Sequence, residues 1–191
     1  METEFNIDGP DKRLAALARI GGAHLLLALV LVIGARWLED GLPTPALVLA
    51  LAAGFISTTF IHEWFHLTGA RLSGGSYTIP RRLGLFTYDW DFAKNSLNQF
   101  YLMSLAGSLG SVAGIALFWI NANNSAVGFA MLAGSWASLG FAATIEWPVL
   151  WRTVHSGDPY GELAKINGRV LLASLSISAM SGTLAWWLLQ G

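Results

Sequence analysis

The chain has 191 residues, of which 54% are hydrophobic and 12% are charged, and its formal net charge is -1. Soluble domains carry about 25% charged residues, so the composition argues against a soluble protein, and the near-neutral charge argues against a nucleic-acid partner. The chain has no cysteine, which excludes disulfides and thiolate ligands, so a zinc site would have to use histidine and carboxylate.

Five apolar stretches are each long enough to cross a hydrocarbon core of about 30 Å. They cover approximately residues 14–38, 45–72, 99–120, 126–151 and 163–189. We therefore expect an all-α membrane protein with about five transmembrane helices, organised as a single membrane-embedded domain over residues 1–191. The N-terminal stretch is acidic and polar, whereas a signal peptide begins with a basic region, so we do not expect a signal peptide here.

The connection between the second and third predicted spans contains two β-prone stretches, residues 77–79 and 85–88. Both are rich in tyrosine, threonine and apolar residues that favour strands. Pro80 and Gly84 bracket a turn between them. We predict a small β-hairpin at the cytoplasmic membrane face, and an irregular interfacial loop is the alternative.

The third predicted span contains small residues at four-residue steps, namely Ala106, Gly110 and Gly114. Small residues at this spacing allow two helices to approach each other closely. We therefore expect a neighbouring helix to pack tightly against this stretch.

Basic residues are concentrated around the start of the first predicted span and in or beside every second connection after it, so nearly all of them fall on one side of the membrane. They are Lys12, Arg13, Arg19, Arg71, Arg81, Arg82, Lys94, Arg152, Lys165 and Arg169, with Arg36 as the exception. The positive-inside rule then predicts a cytoplasmic N-terminus and an external C-terminus. We expect an integral protein of a bacterial inner membrane that is surrounded by the lipid bilayer.

Residues 62–66 read HEWFH, late in the second predicted span and directly after a stretch without charge. Residues four apart lie on one face of a helix, so His62 and His66 can bind the same metal ion. Glu63 can then act as general base toward a water molecule at the metal. A polar cluster satisfied between helices is the structural alternative. Because ionisable groups inside membrane spans are rare, we prefer a catalytic zinc site near the cytoplasmic face.

A catalytic zinc ion usually has three protein ligands. By the charge argument, residues 155–163 lie at the same membrane face as HEWFH. We predict Asp158 as the third ligand, with His155 as its substitute. Asp158 precedes Pro159, so it can instead be the N-cap of a helix.

Two further ionisable residues lie within predicted spans. His24 is in the middle of the first span, where we expect a packed, hydrogen-bonded histidine rather than a metal ligand. Glu146 lies near the end of the fourth span. It could face the site, but we expect it to form an ion pair with Arg152.

These motifs resemble the site-2 protease family of intramembrane zinc metalloproteases. HEWFH at 62–66, followed by GAR at 69–71, looks like the HExxH helix of that family. AGS at 106–108 looks like its Ala-Gly-Pro element, with serine in place of proline, and Asp158 is similar to its late aspartate ligand. The resemblance implies a metalloprotease core over approximately residues 45–175.

We therefore expect an intramembrane zinc endopeptidase that acts in regulated intramembrane proteolysis on a transmembrane or membrane-bound peptide. In this hypothesis His62, His66 and Asp158 bind Zn²⁺, and Glu63 is the catalytic residue. The alternative is a non-catalytic membrane protein of the same fold that binds a partner or holds a metal, although metal storage needs no general base. A di-iron membrane oxidase is disfavoured because the chain has only 4 histidines.

Overall fold

The computed structural model describes residues 10–190, and within this range the chain forms six α-helices and two short β-strands. The elements are α1 (Pro10–Leu38), α2 (Pro43–Leu72), β1 (Tyr77–Thr78), β2 (Asp89–Trp90), α3 (Leu97–Ile120), α4 (Ala126–Ser156), α5 (Pro159–Leu163) and α6 (Gly168–Gln190). Among the described helices, α1 to α4 and α6 are long and apolar enough to cross a membrane. The expected all-α membrane fold is confirmed. The statement about a signal peptide concerns residues 1–13, of which 1–9 lie outside the described residues.

The last span begins later than predicted because a short helix precedes it. Gly157 ends α4 in the left-handed conformation, with φ of 68°, which costs glycine little. Asp158 then caps α5, and its Oδ1 accepts a hydrogen bond from the Gly161 N–H at 2.9 Å. The chain turns again after α5, so the final span starts at Gly168 rather than at the predicted Leu163.

Helix α2 is the centre of the bundle and packs against α1, α3 and α4, while α6 packs on the outside of α4. Helices α2 and α3 approach so closely that two α3 positions, Gly107 and Gly110, have no room for a side chain. A Cβ atom added at Gly110 would lie 2.7 Å from Cβ of Phe65, and one at Gly107 would overlap the His66 ring. The predicted tight packing at the small residues of the third span is thus confirmed.

A two-stranded antiparallel sheet follows α2, with Tyr77 opposite Trp90 and Thr78 opposite Asp89. The predicted hairpin is therefore confirmed, but its second strand was placed wrongly, at residues 85–88. Thr87 is instead buried over α2, where its hydroxyl donates to the Glu63 carbonyl at 3.3 Å. Because Thr87 bonds to α2, residues 85–88 do not join the sheet, and β2 begins at Asp89.

The HEWFH motif lies toward one end of the bundle. His62 follows Pro43 by 19 positions, which is about 28 Å along α2. Since successive spans alternate in direction, this end also carries the sheet, α5 and the N-terminus of α3. Many apolar side chains on the outer helix faces are exposed, such as Leu109 and Leu172, as lipid-facing positions require.

Candidate metal centre

The two histidines of HEWFH converge in the interior of the bundle, as their spacing predicts. Both side chains are buried. Nε2 of His62 lies 2.9 Å from Nε2 of His66, and the ring planes are nearly perpendicular at 89°. The two ring nitrogens therefore point at a common region of space.

Helix α3 fixes the orientation of both rings. Nδ1 of His66 lies 2.9 Å from the Met103 carbonyl oxygen, and because a carbonyl only accepts, Nδ1 carries the hydrogen. In the neutral ring Nε2 then presents a lone pair. Nδ1 of His62 lies 2.9 Å from the Ser111 hydroxyl. Partners of this kind on the far ring nitrogen are typical of metal-binding histidines.

Glu146 on α4 supplies the carboxylate that meets the histidines. Its Oε1 lies 2.7 Å from Nε2 of His62 and 3.1 Å from Nε2 of His66. Its Oε2 is buried and has no hydrogen-bond partner among the described residues. A buried carboxylate oxygen without a partner is unfavourable and points to a group that binds there.

The expected ion pair between Glu146 and Arg152 is wrong. Nε of Arg152 bonds to Glu162 on α5 at 2.8 Å instead. Six residues turn an α-helix by about 600°, so Glu146 and Arg152 lie on different faces of α4. Glu146 faces α2, and Arg152 faces α5.

The structure does not bring Asp158 to the histidines. Its side chain is exposed and caps α5. It also lies beyond the end of α4, whereas Glu146 precedes that end by ten residues, or about 15 Å. His155 is exposed too, and its ring lies against Trp151. We therefore correct the candidate donor set to His62, His66 and Glu146.

Glu63 is adjacent to this donor set and is buried, with 8% exposure. One ligand atom from each of His62, Glu63 and His66 can be chosen so that all three lie within 4.8 Å of one another. Glu63 also lines a cavity of about 390 Å³ together with His66 and Glu146. The rest of the lining is largely aromatic and aliphatic, with Phe86, Tyr88, Trp90, Phe92, Phe100, Met103, Val149, Leu150 and Leu163. The polar groups thus face an apolar chamber.

The donor set fits a divalent metal ion such as zinc. It consists of two imidazole nitrogens and one carboxylate oxygen, a combination found in catalytic zinc sites. The three donor atoms are 2.7, 2.9 and 3.1 Å apart. Tetrahedral ligands at 2.0–2.1 Å from zinc are about 3.3 Å apart, so shifts of a few tenths of an ångström suffice.

His24 has the structural role expected for it. Its ring stacks on Phe60 at 3.9 Å. The Trp64 indole donates to Nδ1 at 3.2 Å, and Nε2 therefore donates to the Gly84 carbonyl at 2.8 Å. His24 thereby links α1 to α2 and to the segment that precedes β2.

Another buried carboxylate lies at the junction of α4 and α5. Glu162 has 4% exposure and binds Arg152 at 2.8 Å and Lys165 at 2.6 Å. The hydrogen bond from Lys165 is the main reason that the pKa of Glu162 is held below its ordinary value of 4.5. Both oxygens of this carboxylate are satisfied by cations.

The fold and the site define an integral membrane protein with a buried histidine and carboxylate cluster. Comparisons with protein-family models, with curated proteins and with solved structures find no match to this chain. The geometry of the cluster is therefore the basis for assigning a function.

Proposed function

We propose that the protein is a zinc-dependent intramembrane endopeptidase of the site-2 protease type. One observation carries the proposal. His62, His66 and Glu146 bring two imidazole nitrogens and one carboxylate oxygen, all possible metal ligands, within 3.1 Å of one another, directly beside Glu63. A set of metal donors next to a carboxylate in a cavity inside membrane helices suits hydrolysis better than storage.

His62, His66 and Glu146 would hold the zinc ion. The Met103 carbonyl keeps His66 in the tautomer that presents Nε2, and the Ser111 hydroxyl holds the orientation of the His62 ring. When bound, zinc acidifies water and polarises a carbonyl group. The lining of the cavity is largely apolar, and electrostatic interactions are stronger in apolar surroundings than in bulk water.

Glu63 moves the proton in this proposal. As a water oxygen bonds to the peptide carbon, the Glu63 carboxylate accepts a proton from that water. The carbon–nitrogen bond then breaks, and Glu63 returns the proton to the departing amine nitrogen. The position of Glu63 in the cavity wall beside His66 supports this role.

The substrate is an apolar peptide, either transmembrane or bound at the membrane. The aromatic and aliphatic chamber suits apolar side chains. A helical substrate must unwind before its peptide bonds can react, because its backbone groups are already paired. Each strand of the two-stranded sheet has an outer edge, and β2 residues Asp89 and Trp90 line the cavity, which supports strand addition as a way of holding an extended peptide.

The proposed location is a bacterial inner membrane with the cavity toward the cytoplasm. Five candidate spans among the described helices support an integral protein. Most basic residues adjoin the bundle end that carries the sheet and α5, including Arg71, Lys94, Arg152 and Lys165. The positive-inside rule assigns that end to the cytoplasm.

The test is Glu63→Gln in purified protein reconstituted into liposomes with synthetic transmembrane peptides. We expect zinc to stay bound, measured by elemental mass spectrometry, while cleavage falls by about 10²–10⁴-fold, measured by mass spectrometry of the products. Glu39→Gln is the matched control, because Glu39 forms an ion pair with Arg36 at the opposite end of the bundle.

The outcomes separate the two functional hypotheses. Cleavage by Glu63→Gln at the wild-type rate contradicts the proposed mechanism. Tightly bound zinc in a wild type that cleaves none of the peptides favours the non-catalytic, metal-holding alternative. A wild type that binds no zinc and is indifferent to chelators contradicts the peptidase and favours a non-catalytic protein that binds a partner.

A further inference from the structure

We propose that Tyr88 is a further catalytic residue, whose phenolic O–H donates a hydrogen bond to the substrate carbonyl oxygen as that oxygen gains negative charge. This inference rests on the proposed function, because it assigns a role within the same peptidase site. Tyr88 belongs to the segment between α2 and α3 and lines the cavity with Glu63, His66 and Glu146.

The backbone of Tyr88 is anchored on both sides. On one side, the hydroxyl of Thr87 donates to the carbonyl of Glu63 at 3.3 Å, so the segment is tied to the proposed general base itself. On the other side, Asp89 pairs with Thr78 in the sheet. A catalytic group that is held by its supporting residues needs little rearrangement when the substrate reacts.

The ring of Tyr88 is held by two aromatic neighbours. It meets Tyr77 edge to face with ring centres 5.9 Å apart, and Trp90 in the same manner at 6.4 Å. Edge-to-face contacts at these distances are favourable. The ring therefore has a defined position in the wall of the cavity.

The hydroxyl of Tyr88 is available as a donor. Within residues 10–190 it forms no hydrogen bond with another protein group. Burial, and then the nearby carboxylates Glu63 and Glu146, raise the pKa of the phenol above its ordinary value of 10.0. The group thus keeps its proton at neutral pH, and a reacting carbonyl oxygen would give it a partner.

The chemistry balances without any consumption of Tyr88. When the water oxygen bonds to the peptide carbon, one electron pair of the carbonyl moves to its oxygen, and the hydrogen bond from Tyr88 strengthens. When that pair returns, the carbon–nitrogen bond breaks and the amine takes its proton from Glu63. Tyr88 retains its proton throughout and lowers the barrier by stabilising the transient charge.

The experiment compares Tyr88→Phe with Tyr77→Phe in liposomes, using a fluorogenic transmembrane peptide and its phosphinic analogue, which has a tetrahedral phosphorus in place of the reacting carbon. Tyr77 belongs to the same aromatic cluster but does not line the cavity, so it is the matched control. For Tyr88→Phe we expect kcat to fall by about 10²–10³-fold. We expect KM and zinc content to stay near wild type, and affinity for the phosphinic peptide to fall with kcat/KM.

A second variant tests the donor independently of packing. A difluorotyrosine at position 88 has a more acidic phenol, so the loss of kcat at alkaline pH should move to lower pH, which a purely structural role would not cause. The inference on Tyr88 is overturned if Tyr88→Phe keeps kcat within about threefold of wild type, or if its whole effect is on KM or zinc content. If wild type shows no cleavage that depends on Glu63, the proposed function itself fails and the role of Tyr88 fails with it.

Discussion

Two carboxylates near the end of α4 have opposite surroundings. Glu162, on the adjoining α5, is held by two cations, Arg152 at 2.8 Å and Lys165 at 2.6 Å. Glu146 meets two imidazole nitrogens at 2.7 and 3.1 Å with one oxygen, and its other oxygen has no partner among the described residues. The Glu162 side chain is 5% exposed and the Glu146 side chain is 22% exposed, so burial alone does not explain why only Glu162 has both oxygens paired.

The difference lies in what the partners can donate. Arg152 and Lys165 neutralise the charge of Glu162, and each bonds one of its two carboxylate oxygens. The tautomer set by Met103 makes Nε2 of neutral His66 an acceptor, as the Glu146 carboxylate is, so these two atoms are complete only with a proton or a metal ion between them. The partners of the two carboxylates therefore distinguish a satisfied ion-pair cluster at Glu162 from an incompletely satisfied cluster at Glu146.

The largest expected effect concerns the identity of the third donor. Glu146→Gln should weaken zinc binding by more than about 100-fold, the upper end of what is lost when a residue that only supports a ligand is removed. Asp158→Asn should leave zinc binding unchanged and should also keep the N-cap of α5, because asparagine caps helices as well as aspartate does. Zinc competition titrations of the two purified variants measure this directly. If Asp158→Asn loses zinc and Glu146→Gln retains it, the corrected donor set is wrong.

A smaller effect is expected from the group that orients His62. Ser111→Ala removes the hydrogen bond to Nδ1 of His62 and should weaken zinc binding by about 10–100-fold. Ser108→Ala is the control, because Ser108 lies on the same helix and accepts from the Trp147 indole at 3.2 Å. Equal zinc affinity in both variants would show that the Ser111 contact does not support the metal site.

The smallest effect is expected at the satisfied carboxylate. Glu162→Gln should retain zinc and lower the Tm at pH 7 by about 2–4 °C. The pKa of Glu162 is lowered in the folded protein, so its stabilising contribution is present above the ordinary pKa of 4.5 and is lost as pH falls through the lowered value.

Thermal unfolding at a series of pH values checks this sign. The difference in Tm between wild type and Glu162→Gln should therefore shrink as pH falls below about 4.5. A difference that stays constant or grows under acid conditions contradicts the assignment of Glu162 as a cation-stabilised group. Glu39→Gln removes one partner of a more exposed pair with Arg36, so its Tm should stay close to that of wild type throughout the pH series.

Features of local origin were predictable from the sequence. The five spans follow from length and hydropathy, and the shared face of His62 and His66 follows from helix geometry. The close contact of α3 with α2 follows from its small residues. Each of these properties depends on the sequence of a single helix, including how closely another helix can pack against it.

Features that depend on several elements were not predictable in the same way. Glu146 was assigned to Arg152 by proximity in sequence, although six residues place the two on different faces of a helix. Asp158 followed by Pro159 is a strong local signal for a helix start, and that local preference prevails in the structure. A carboxylate inside an apolar span was the available signal for Glu146, since the same reasoning singled out Glu63.

The donors lie far apart in the chain, and this has a consequence for biogenesis. Glu146 follows His66 by 80 residues and His62 by 84, so all of α3 and much of α4 are synthesised after the histidines and before this carboxylate. At roughly 5–20 residues per second, the ribosome adds the carboxylate about 4–16 s after the histidines. Nascent chains that have inserted only α1 to α3 carry Glu63 and both histidines but lack Glu146, so the candidate donor set is complete only when the fourth span joins the bundle.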